Sequence, residues 1–589
     1  MQVLLGPKLQ WVEFVSPLEI LEARAPAEVV PLLDHLDKEC ATGRYAAGFL
    51  SYEAAPAFDA ALSVRPGKGP PLAWFGVFEE IRDCGEPARA TRDSEDPIAW
   101  NPSVDKTDYC DAVDRIQGHI AAGDTYQVNF TFPLEADFTG IDSWSFFADL
   151  CAQQRSTYCA FIETANWALC SASPELFFKL DGDSIECRPM KGTAGRGRTV
   201  EEDKRQAEWL QSSSKNRAEN VMIVDMVRND LGRIATPESV RVERLWELEK
   251  YPSIFQLTST VEARTNASLS DIFKALFPCA SITGAPKIRA SQIISEHESE
   301  PRGVYTGTIG YIGPKRQARF NVAIRTVQID KRHNQARFGT GGGIVWESSA
   351  EEEWLECRTK ALVLKTSEPE FNLFETLLWT PQDGYRLLQR HLDRLQQSAL
   401  YFDFILDLEE VRNELDRSSS FFEETDHRVR LTVTDSGALG VEAIPFDSDD
   451  RTWKIALARA PIDPSNRFLF HKTTNRHLYN ENRRGLENYD DVVLWNTAGQ
   501  VTESTIANIV VRFGDSLFTP PVEAGLLPGT MRAELLQQGR IVEQEIRLDQ
   551  LPEADEVFLV NSVRGWIRAS ITDLGVEAQK QTASSLGRL

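Results

Sequence analysis

The sequence has few of the features that direct a protein to a membrane or out of the cell. The 589-residue chain contains no run of about 18 apolar residues, so no transmembrane helix is predicted. Residues 1–10 lack the basic start and apolar run of a secretory signal. The nine cysteines are odd in number, scattered, and never arranged as C-x-x-C pairs, which favours free thiols in a reducing compartment. We therefore expect a cytoplasmic protein.

Positive charge is scarce. The chain has 64 Lys and Arg residues against 88 Asp and Glu residues, a net charge of −24. This balance argues against nucleic acid or an anionic membrane surface as a partner. The glycine run Gly339-Thr-Gly-Gly-Gly343 fits neither G-x-x-x-x-G-K nor G-x-G-x-x-G, so no nucleotide loop is predicted. An anionic substrate would need a locally basic pocket.

The chain is too long for one hydrophobic core, so at least two domains are expected. All nine cysteines lie before residue 358, and a linker-like stretch covers 365–370. We place the boundary there, which gives units 1–366 and 367–589. A weaker break at 93–97 is interpreted as a loop within the first unit.

In the first unit, Ala218 to Leu231 is predicted to form a helix that Gly232 caps. Residues 304–312 and 318–327 alternate as strands and are separated by a Gly-Pro turn, which predicts an antiparallel hairpin. Because strands and long helices do not alternate regularly, the fold class is α+β.

An ordered set of motifs spans almost all of the second half of this unit. They are Ser171-Ala-Ser-Pro-Glu175, Arg188-Pro-Met-Lys-Gly-Thr193, 218–233, 277–287, Tyr305-Thr-Gly307, Ala323-Ile-Arg-Thr326, 339–344 and Glu353-x-x-Glu-x-x-x-Lys360. The set resembles the chorismate-utilising family of anthranilate, aminodeoxychorismate and isochorismate synthases. The resemblance implies an antiparallel β-sandwich with flanking helices.

Lys191 stands where anthranilate synthases have alanine, and the resemblance to aminodeoxychorismate synthases implies a covalent nucleophile there. The amine would add at C2 of chorismate as the C4 hydroxyl leaves, and ammonia would then attack C4 and expel the lysine. The ordinary pKa of lysine is about 10.4, so this role requires a lower value, for which Arg188, Arg196 or a metal could provide the positive charge. An isolated Lys-Gly-Thr is usually only a loop.

The resemblance makes Glu175 the general acid for the departing hydroxyl, whereas on its own it could simply open a helix. Two positions depart from the family. Gln256 replaces a histidine and cannot shuttle protons near neutral pH. Asn216 replaces a carboxylate that some relatives have near the metal.

Glu353, Glu356 and Lys360 share one helical face because of their spacing. Carboxylates from two helices suit Mg²⁺. The resemblance implies that Glu219 and Glu356 bind Mg²⁺ directly and Glu353 largely through water, although the acidic run alone could be a solvated face. It also implies that substrate is held by a set of residues comprising Tyr305, Arg325, Gly341, Gly342, Ser281, Lys360 and Thr193.

In the second unit, residues 371–378, 386–388 and 490–495 are predicted to be strands, and 389–402 an amphipathic helix. Its motifs are His391-Leu-Asp-Arg-Leu395, Lys472-Thr-Thr-Asn-Arg476, Val501-Thr-Glu-Ser504 and Leu527-Pro-Gly-Thr-Met-Arg532. They resemble pyridoxal-phosphate enzymes of fold type IV, an α+β fold whose members include aminodeoxychorismate lyase and several transaminases.

This second resemblance assigns roles that pyridoxal 5′-phosphate requires. Lys472 would hold the cofactor covalently and move protons. Glu503 would pair with its ring nitrogen, and Arg394 would bind its phosphate together with the amides of Gly529 and Thr530. Arg564 is a further candidate, for a substrate carboxylate. Each residue alone has an ordinary structural explanation.

Together the two resemblances imply an enzyme that aminates chorismate and then eliminates pyruvate to give 4-aminobenzoate for folate. No glutaminase motif of the Gly-x-Cys-x-Gly type is found, so ammonia would come from a separate glutamine amidotransferase. Fold type IV domains often pair, which allows a homodimer. Two alternatives stay open: an aminotransferase of unrelated substrate fused to the synthase, and a non-enzymatic sensor of chorismate or tryptophan. Lys191 disfavours production of anthranilate or isochorismate.

Overall fold

The structure is a computed structural model that describes residues 3–6, 11–67, 69–85, 87, 98–364, 370–448 and 450–573. The predicted loop at 93–97 and all but the last residue of the predicted linker at 365–370 lie outside these ranges. Among the described residues, none of the helices combines the length and the apolar character needed to cross a membrane.

The chain divides into two compact units. The first unit contains residues 1–195 and 206–368, and the second contains 196–205 and 369–589. The short segment Arg196–Arg205 therefore packs with the second unit, although its position in the sequence is well inside the first.

The first unit is built from two antiparallel sheets and eight helices within the described residues. Its strands are β1 (Val3–Gly6), β2 (Trp11–Glu13), β3 (Glu19–Ala23), β4 (Tyr45–Leu50), β5 (Ala73–Phe78), β6 (Arg82–Cys84), β7 (Asn101–Pro102), β8 (Gln127–Asp137), β9 (Tyr158–Glu163), β10 (Trp167–Ser173), β11 (Leu176–Asp181), β12 (Ser184–Arg188), β13 (Met190–Gly195), β14 (Arg241–Lys250), β15 (Ile254–Arg264), β16 (Gly284–Ala285), β17 (Thr308–Gly313), β18 (Gln317–Val322), β19 (Thr326–Asp330) and β20 (Gln335–Ile344). Its helices are α1 (Pro26–Ala41), α2 (Lys106–Ala121), α3 (Ser143–Gln154), α4 (Val200–Ser212), which begins in the segment of the second unit, α5 (Ser214–Gly232), α6 (Leu269–Leu276), α7 (Lys287–His297) and α8 (Ala350–Lys360).

One sheet runs in the order β16-β8-β20-β19-β10-β9-β1-β2-β6, and the other in the order β13-β15-β12-β11-β18-β17-β4-β5-β3; β7 and β14 pair at their margins. Side chains of both sheets meet in a shared apolar cluster, where Phe49 of β4 packs edge-on against Trp167 of β10. Helices α1, α5 and α6 cover the outer face of the second sheet, and α2, α3, α7 and α8 cover that of the first. The predicted sandwich with flanking helices is confirmed.

The predicted elements of this unit are largely present. Strands β17 and β18 form the predicted antiparallel hairpin, and α5 contains the predicted helix. The second predicted strand is broken at Ala323–Arg325, where Arg325 has a positive φ of 51°. Gly232 is the last residue of α5, with right-handed Arg233 as the C-cap, so the prediction of Gly232 as a cap was wrong.

The second unit contains a small antiparallel sheet and a larger mixed one. Its strands are β21 (Leu373–Thr380), β22 (Gly384–Tyr385), β23 (His427–Val433), β24 (Leu439–Pro445), β25 (Trp453–Leu457), β26 (Asp491–Trp495), β27 (Val501–Ser504), β28 (Asn508–Phe513), β29 (Ser516–Thr519), β30 (Val542–Glu543), β31 (Glu556–Asn561) and β32 (Gly565–Asp573). Its helices are α9 (Leu388–Phe402), α10 (Leu408–Ser419), α11 (His477–Arg483) and α12 (Thr530–Gln537). The small sheet runs β22-β21-β23-β24 and the larger β27-β26-β25-β32-β31-β28-β29-β30.

The helix predicted at 389–402 and the strands predicted at 371–378 and 490–495 are present within a few residues. The strand predicted at 386–388 was wrong. Leu387 adopts a left-handed conformation, with φ 54°, and caps the start of α9 instead. A short apolar stretch does not reveal such a turn.

The inserted segment is held within the second unit by polar contacts. Arg196 forms an ion pair with Asp203 at 2.5 Å and also donates to the backbone carbonyl of Tyr401 at 3.0 Å. The Tyr401 hydroxyl donates to the carbonyl of Gly197 at 2.6 Å. His471 bonds through Nε2 to the carbonyl of Arg198 at 3.0 Å. The segment therefore contacts the residue that precedes Lys472.

Candidate active sites

Lys191 lies on β13, where the pairing with β15 shifts register between Met190 and Thr193. The amide of Asn220, on α5, donates to the Lys191 carbonyl at 3.3 Å. The Lys191 amine lies against Gly343 of β20, because a Cβ added to Gly343 would be 2.4 Å from Nζ. Only glycine leaves room for the amine at this point.

Two buried amides that the sequence analysis missed lie beside this amine. Gln127 and Asn129, both on β8, border the same position on Gly343, with Gln127 Nε2 at 2.5 Å and Asn129 Oδ1 at 3.2 Å from the added Cβ. Gln127 is fully buried, and neither amide atom of its side chain has a hydrogen-bond partner among the described residues. Unpaired buried amides are uncommon, so this side chain has capacity to bind water or a ligand.

Glu175 is buried just before β11, so it does not begin a helix. The Ser281 hydroxyl donates to its Oε1 at 2.6 Å. Burial raises the pKa of Glu175 to about 7, against the opposing effects of Ser281, the Met190 amide and the positive charge of Lys191. Glu175 can therefore hold a proton near neutral pH, as a general acid must.

Helix α8 places two carboxylates and one amine beside β20. Glu353 Oε2 lies against Gly342, 2.5 Å from where a Cβ would be, and the Lys360 amine donates to the Gly341 carbonyl at 2.8 Å. Glu356 forms an ion pair with Lys360 at 2.6 Å, and Lys360 lowers the pKa of Glu356. Burial and the neighbouring Glu356 raise the pKa of Glu353. The predicted helical face is present.

Tyr305 and Arg325 contact the same strand and helix. The Tyr305 ring packs on Gly339, and burial raises the pKa of its hydroxyl to about 12. Arg325 donates to the Lys360 carbonyl, and burial lowers its pKa to about 10, so it remains a cation at neutral pH. Of the predicted substrate-binding residues, Tyr305, Arg325, Gly341, Gly342 and Lys360 are therefore on or beside β20 and α8, whereas Ser281 contacts Glu175 and Thr193 lies on β13.

The predicted metal ligands are only partly brought together. Glu353 and Glu356 are neighbours, whereas Glu219 lies half-buried in the second turn of α5. In the described part of the chain, the three carboxylates do not form a group with oxygens within 4.8 Å of one another. The donor chemistry of the Glu353–Glu356 pair fits a hard cation. Coordination by Glu219 stays a prediction.

The structure also locates the other residues that the sequence analysis named in this region. Thr193 pairs with Gln256 across β13 and β15, and Asn216 lies beside Gly192. Of the two cations suggested as neighbours of Lys191, Arg188 is paired with Glu249 at 2.5 Å, and Arg196 is held in the second unit as described above.

Lys472 lies in the second unit with its amine over the ring of Phe374, 4.7 Å from the ring centre. Burial and the charge of Arg394 lower the pKa of Lys472 to about 7, despite the opposing charges of Glu375 and Glu503. A large fraction of this amine is therefore neutral near pH 7. A neutral amine is what bonding to an aldehyde requires.

Glu503 on β27 is buried, and burial raises its pKa to about 8. The Tyr479 hydroxyl donates to its Oε1 at 2.8 Å, and the Asn508 amide is 3.4 Å from Oε2. The buried carboxyl thus favours its protonated form in the absence of a cationic partner. A basic ring nitrogen that took up this proton would provide that partner.

Arg394 on α9 makes two hydrogen bonds to buried Glu375 and one to the Pro528 carbonyl. A guanidinium has five N–H groups, so donors remain for a phosphate. Gly529 caps the start of α12, where a Cβ would be 1.9 Å from Asn508 Oδ1, and the next residue is Thr530. This surrounding fits pyridoxal phosphate, with an amine, a carboxyl and a phosphate-binding cation close together.

Arg564 has a half-buried side chain, and its guanidinium lies over the rings of Phe446 and Trp453, 5.1 and 5.3 Å from their centres. Binding of a substrate carboxylate by Arg564 stays a prediction.

Comparison with family models gives two matches. Residues 12–366 match the chorismate binding enzyme model, and residues 372–571 match the model of amino-transferase class IV. The second match implies pyridoxal phosphate as the cofactor of the second unit.

The first unit is also similar to curated proteins. It is 40% identical over 260 residues to aminodeoxychorismate synthase component 1 of Salmonella typhimurium, a match that covers 44% of this chain and 57% of that protein. It is 38% identical over 267 residues to anthranilate synthase component 1 of Aquifex aeolicus, covering 45% of this chain and 53% of that protein. The chain thus spans little more than half the length of these relatives.

Among solved structures, anthranilate synthase component I from Streptococcus pneumoniae TIGR4 is similar in fold. Its TM-score is 0.52 at 26% sequence identity, and the match covers 60% of this chain and 91% of that one. The similarity supports the sandwich architecture of the first unit.

Proposed function

The chain belongs to the family of chorismate-binding enzymes, and from this premise we propose that it makes 4-aminobenzoate from chorismate in two steps. The first unit would replace the C4 hydroxyl of chorismate by an amino group. The second would remove pyruvate from the resulting 4-amino-4-deoxychorismate. The observation that carries the proposal is the position of Lys191. Its amine and the buried amides of β8 lie against the same point on Gly343, and Glu175, whose pKa is raised to about 7, is close enough to feel the charge of Lys191.

In the first unit, the Lys191 amine attacks C2, the ring double bonds shift, and the C4 hydroxyl leaves as water with the proton of Glu175. Ammonia then attacks C4, the double bonds shift back, and the C2–N bond to Lys191 breaks. Nitrogen therefore arrives para to the carboxylate. In anthranilate synthases, alanine at this position cannot provide the temporary bond.

The carboxylates of the substrate would lie among the cations and glycine amides of β20 and α8. Arg325 and Lys360 offer positive charge there, and Tyr305 a hydroxyl. Glu356, Glu353 and Glu219 would hold Mg²⁺, which neutralises the ring carboxylate of chorismate. The chemistry of the first two residues supports this assignment.

In the second unit, Lys472, Arg394 and Glu503 would hold pyridoxal phosphate, which would supply an electron sink for the carbon that bears the amino group of the substrate. Lys472 then removes the proton from that carbon, for which a pKa of about 7 is well suited. Loss of enolpyruvate makes the ring aromatic. Arg394 holds the phosphate, and Glu503 keeps the ring nitrogen protonated.

Ammonia would come from a separate glutamine amidotransferase, since relatives of the first unit carry the name component 1. The chain would act in the cytoplasm, and its second unit would pair in a homodimer.

The direct test is product analysis. The chain is incubated with chorismate, ammonium, Mg²⁺ and pyridoxal phosphate, and products are separated by chromatography. We expect 4-aminobenzoate and pyruvate in equal amounts, and no product after Mg²⁺ is removed by a chelator. Anthranilate or isochorismate as the product would contradict the first step. Accumulation of aminodeoxychorismate, with transamination of another amino acid, would instead indicate a different role for the second unit.

A further inference from the structure

Two histidines and a glutamate converge in the first unit among residues to which the proposed reaction gives no part. His119 lies in the last turn of α2, and Glu296 and His297 end α7. One ligand atom of each residue lies within 4.8 Å of the others. We propose that His119, Glu296 and His297 bind a divalent cation of the zinc type.

His119 makes a side-chain hydrogen bond of the kind that metal-binding histidines make. Its Nδ1 is 2.8 Å from Asp124 Oδ2, and a carboxylate can only accept, so Nδ1 carries the proton and the lone pair is on Nε2. The same Asp124 Oδ2 also accepts from Arg289. Histidines that bind metals usually donate their other N–H to a carboxylate in this way.

His297 offers an unsatisfied nitrogen. Its Nε2 is buried and has no hydrogen-bond partner among the described residues. Its ring packs on that of His119, with centres 5.7 Å apart. A cation between the two rings would satisfy the buried nitrogen.

The surrounding charges favour a nitrogen-bound cation. Glu296 is exposed, and Arg289 approaches it at 3.7 Å while donating to Asp124 at 2.9 Å. Arg115 is the other nearby cation. With two carboxylates opposing two guanidiniums, the cluster has little excess negative charge. Mg²⁺ and Ca²⁺ prefer oxygen-rich acidic sites, whereas Zn²⁺ and Co²⁺ bind neutral imidazole.

Three protein ligands would leave the fourth position of a tetrahedral ion for water. In a tetrahedral zinc site with nitrogen ligands at about 2.1 Å, neighbouring ligand atoms are about 3.4 Å apart. Rotation of the exposed Glu296 side chain can close the present spacing. The ion would join the C-terminal ends of α2 and α7. It would also fix His297, which lines a cavity of about 190 Å³.

The test uses the full-length chain, freed of metal by a chelator and titrated with Co²⁺ and separately with Zn²⁺. We expect a single ion per chain, with visible Co²⁺ bands of a nitrogen–oxygen site and no thiolate charge-transfer band. His119→Gln, His297→Gln and Glu296→Gln should each weaken binding at least about tenfold, and Asp124→Asn by about ten- to a hundredfold. His333→Gln is the matched control, because exposed His333 pairs with Asp330 in the same way at 2.9 Å.

Folding is monitored separately by thermal unfolding without metal. Zn²⁺ should raise the melting temperature of the wild-type chain and of His333→Gln, but not that of the doubly substituted His119→Gln, His297→Gln chain. Glu296 is exposed, so Glu296→Gln tests the site if a histidine variant does not fold. No stoichiometric binding, a thiolate band, or undiminished binding by folded variants would overturn the proposal.

Discussion

The buried carboxylate of Glu375 holds the guanidinium of Arg394 by two hydrogen bonds, of 2.9 Å from Nε and 2.6 Å from Nη2. Its Oε2 also accepts from His391 at 2.7 Å. Burial alone would raise the pKa of Glu375, but Arg394 and His391 hold it at about 2. Glu375 is therefore an anion at every pH of interest and fixes the orientation of Arg394.

We predict that Glu375→Gln weakens the binding of pyridoxal phosphate by about ten- to a hundredfold, because hydrogen bonds to a charged group contribute about 1.5–3 kcal/mol. Absorbance titration with the cofactor measures this affinity. The control is Glu409→Gln, because Glu409 is an exposed residue of α10. Unchanged affinity in Glu375→Gln would show that Arg394 does not need this carboxylate.

The pH dependence of the first step should follow Glu175. Its pKa is raised to about 7, and the acid form is the active one, so turnover should fall as pH rises through about 7. Glu175→Gln cannot release a proton and should lower the rate by about 10²–10⁴-fold. Chorismate consumption, measured from pH 5.5 to 9 with ammonia supplied at constant free concentration, checks both expectations. A rate that keeps rising through pH 8 contradicts them.

Lys191→Ala should abolish formation of aminodeoxychorismate, because the temporary bond at C2 cannot form. The variant is incubated with chorismate and high ammonium, and products are separated by chromatography. Formation of anthranilate instead would support a role of Lys191 in placing the nitrogen. Near wild-type yield of 4-aminobenzoate excludes the covalent role.

The variant Gln127→Met tests whether Gln127 has a catalytic or a structural role, because the two roles predict different changes in turnover and in the free energy of unfolding. Gln127→Met removes an unpaired buried amide at similar volume, so the free energy of unfolding should stay the same or rise by about 1–3 kcal/mol. If the amide contacts substrate or ammonia beside Lys191, turnover should nevertheless fall at least about tenfold. Denaturant unfolding and product assays measure the two quantities. A loss of stability with normal turnover would make Gln127 purely structural.

Division of labour between the units is tested by Lys472→Ala. This variant should lose the cofactor absorbance of the covalent complex and make no 4-aminobenzoate, while it still consumes chorismate. Aminodeoxychorismate should accumulate and be converted when an independent lyase is added. Normal 4-aminobenzoate production by Lys472→Ala alone contradicts the assignment of the second unit.

The sequence predicted most of the elements that present the sites, because periodicity and motif order are local. The face of Glu353, Glu356 and Lys360 follows from helical spacing alone. Gln127 and Asn129 could not be found in this way, since their relation to Lys191 depends on pairing between β8 and β20, which are far apart in sequence.

The sequence analysis also did not predict the left-handed conformation of Leu387 or the packing of Arg196–Arg205 with the second unit. A left-handed leucine is rare, and its conformation is determined by the surrounding packing rather than by its own preference. The segment Arg196–Arg205 is bound by Tyr401 and His471, which come more than two hundred residues later in the sequence.

The packing of residues 196–205 with the second unit also limits where the chain can be divided into fragments. The polypeptide passes from one unit to the other after residues 195, 205 and 368, so a single cut at 366 does not separate two complete modules. A separately expressed 367–589 fragment would lack Arg198, and the His471 Nε2 would lose its acceptor. A hydrogen bond of this kind contributes about 0.5–1.5 kcal/mol to stability. Supplying residues 196–205 as a peptide or as a fused segment should restore the stability of that fragment, so the second unit is complete only when this stretch of the chain is present.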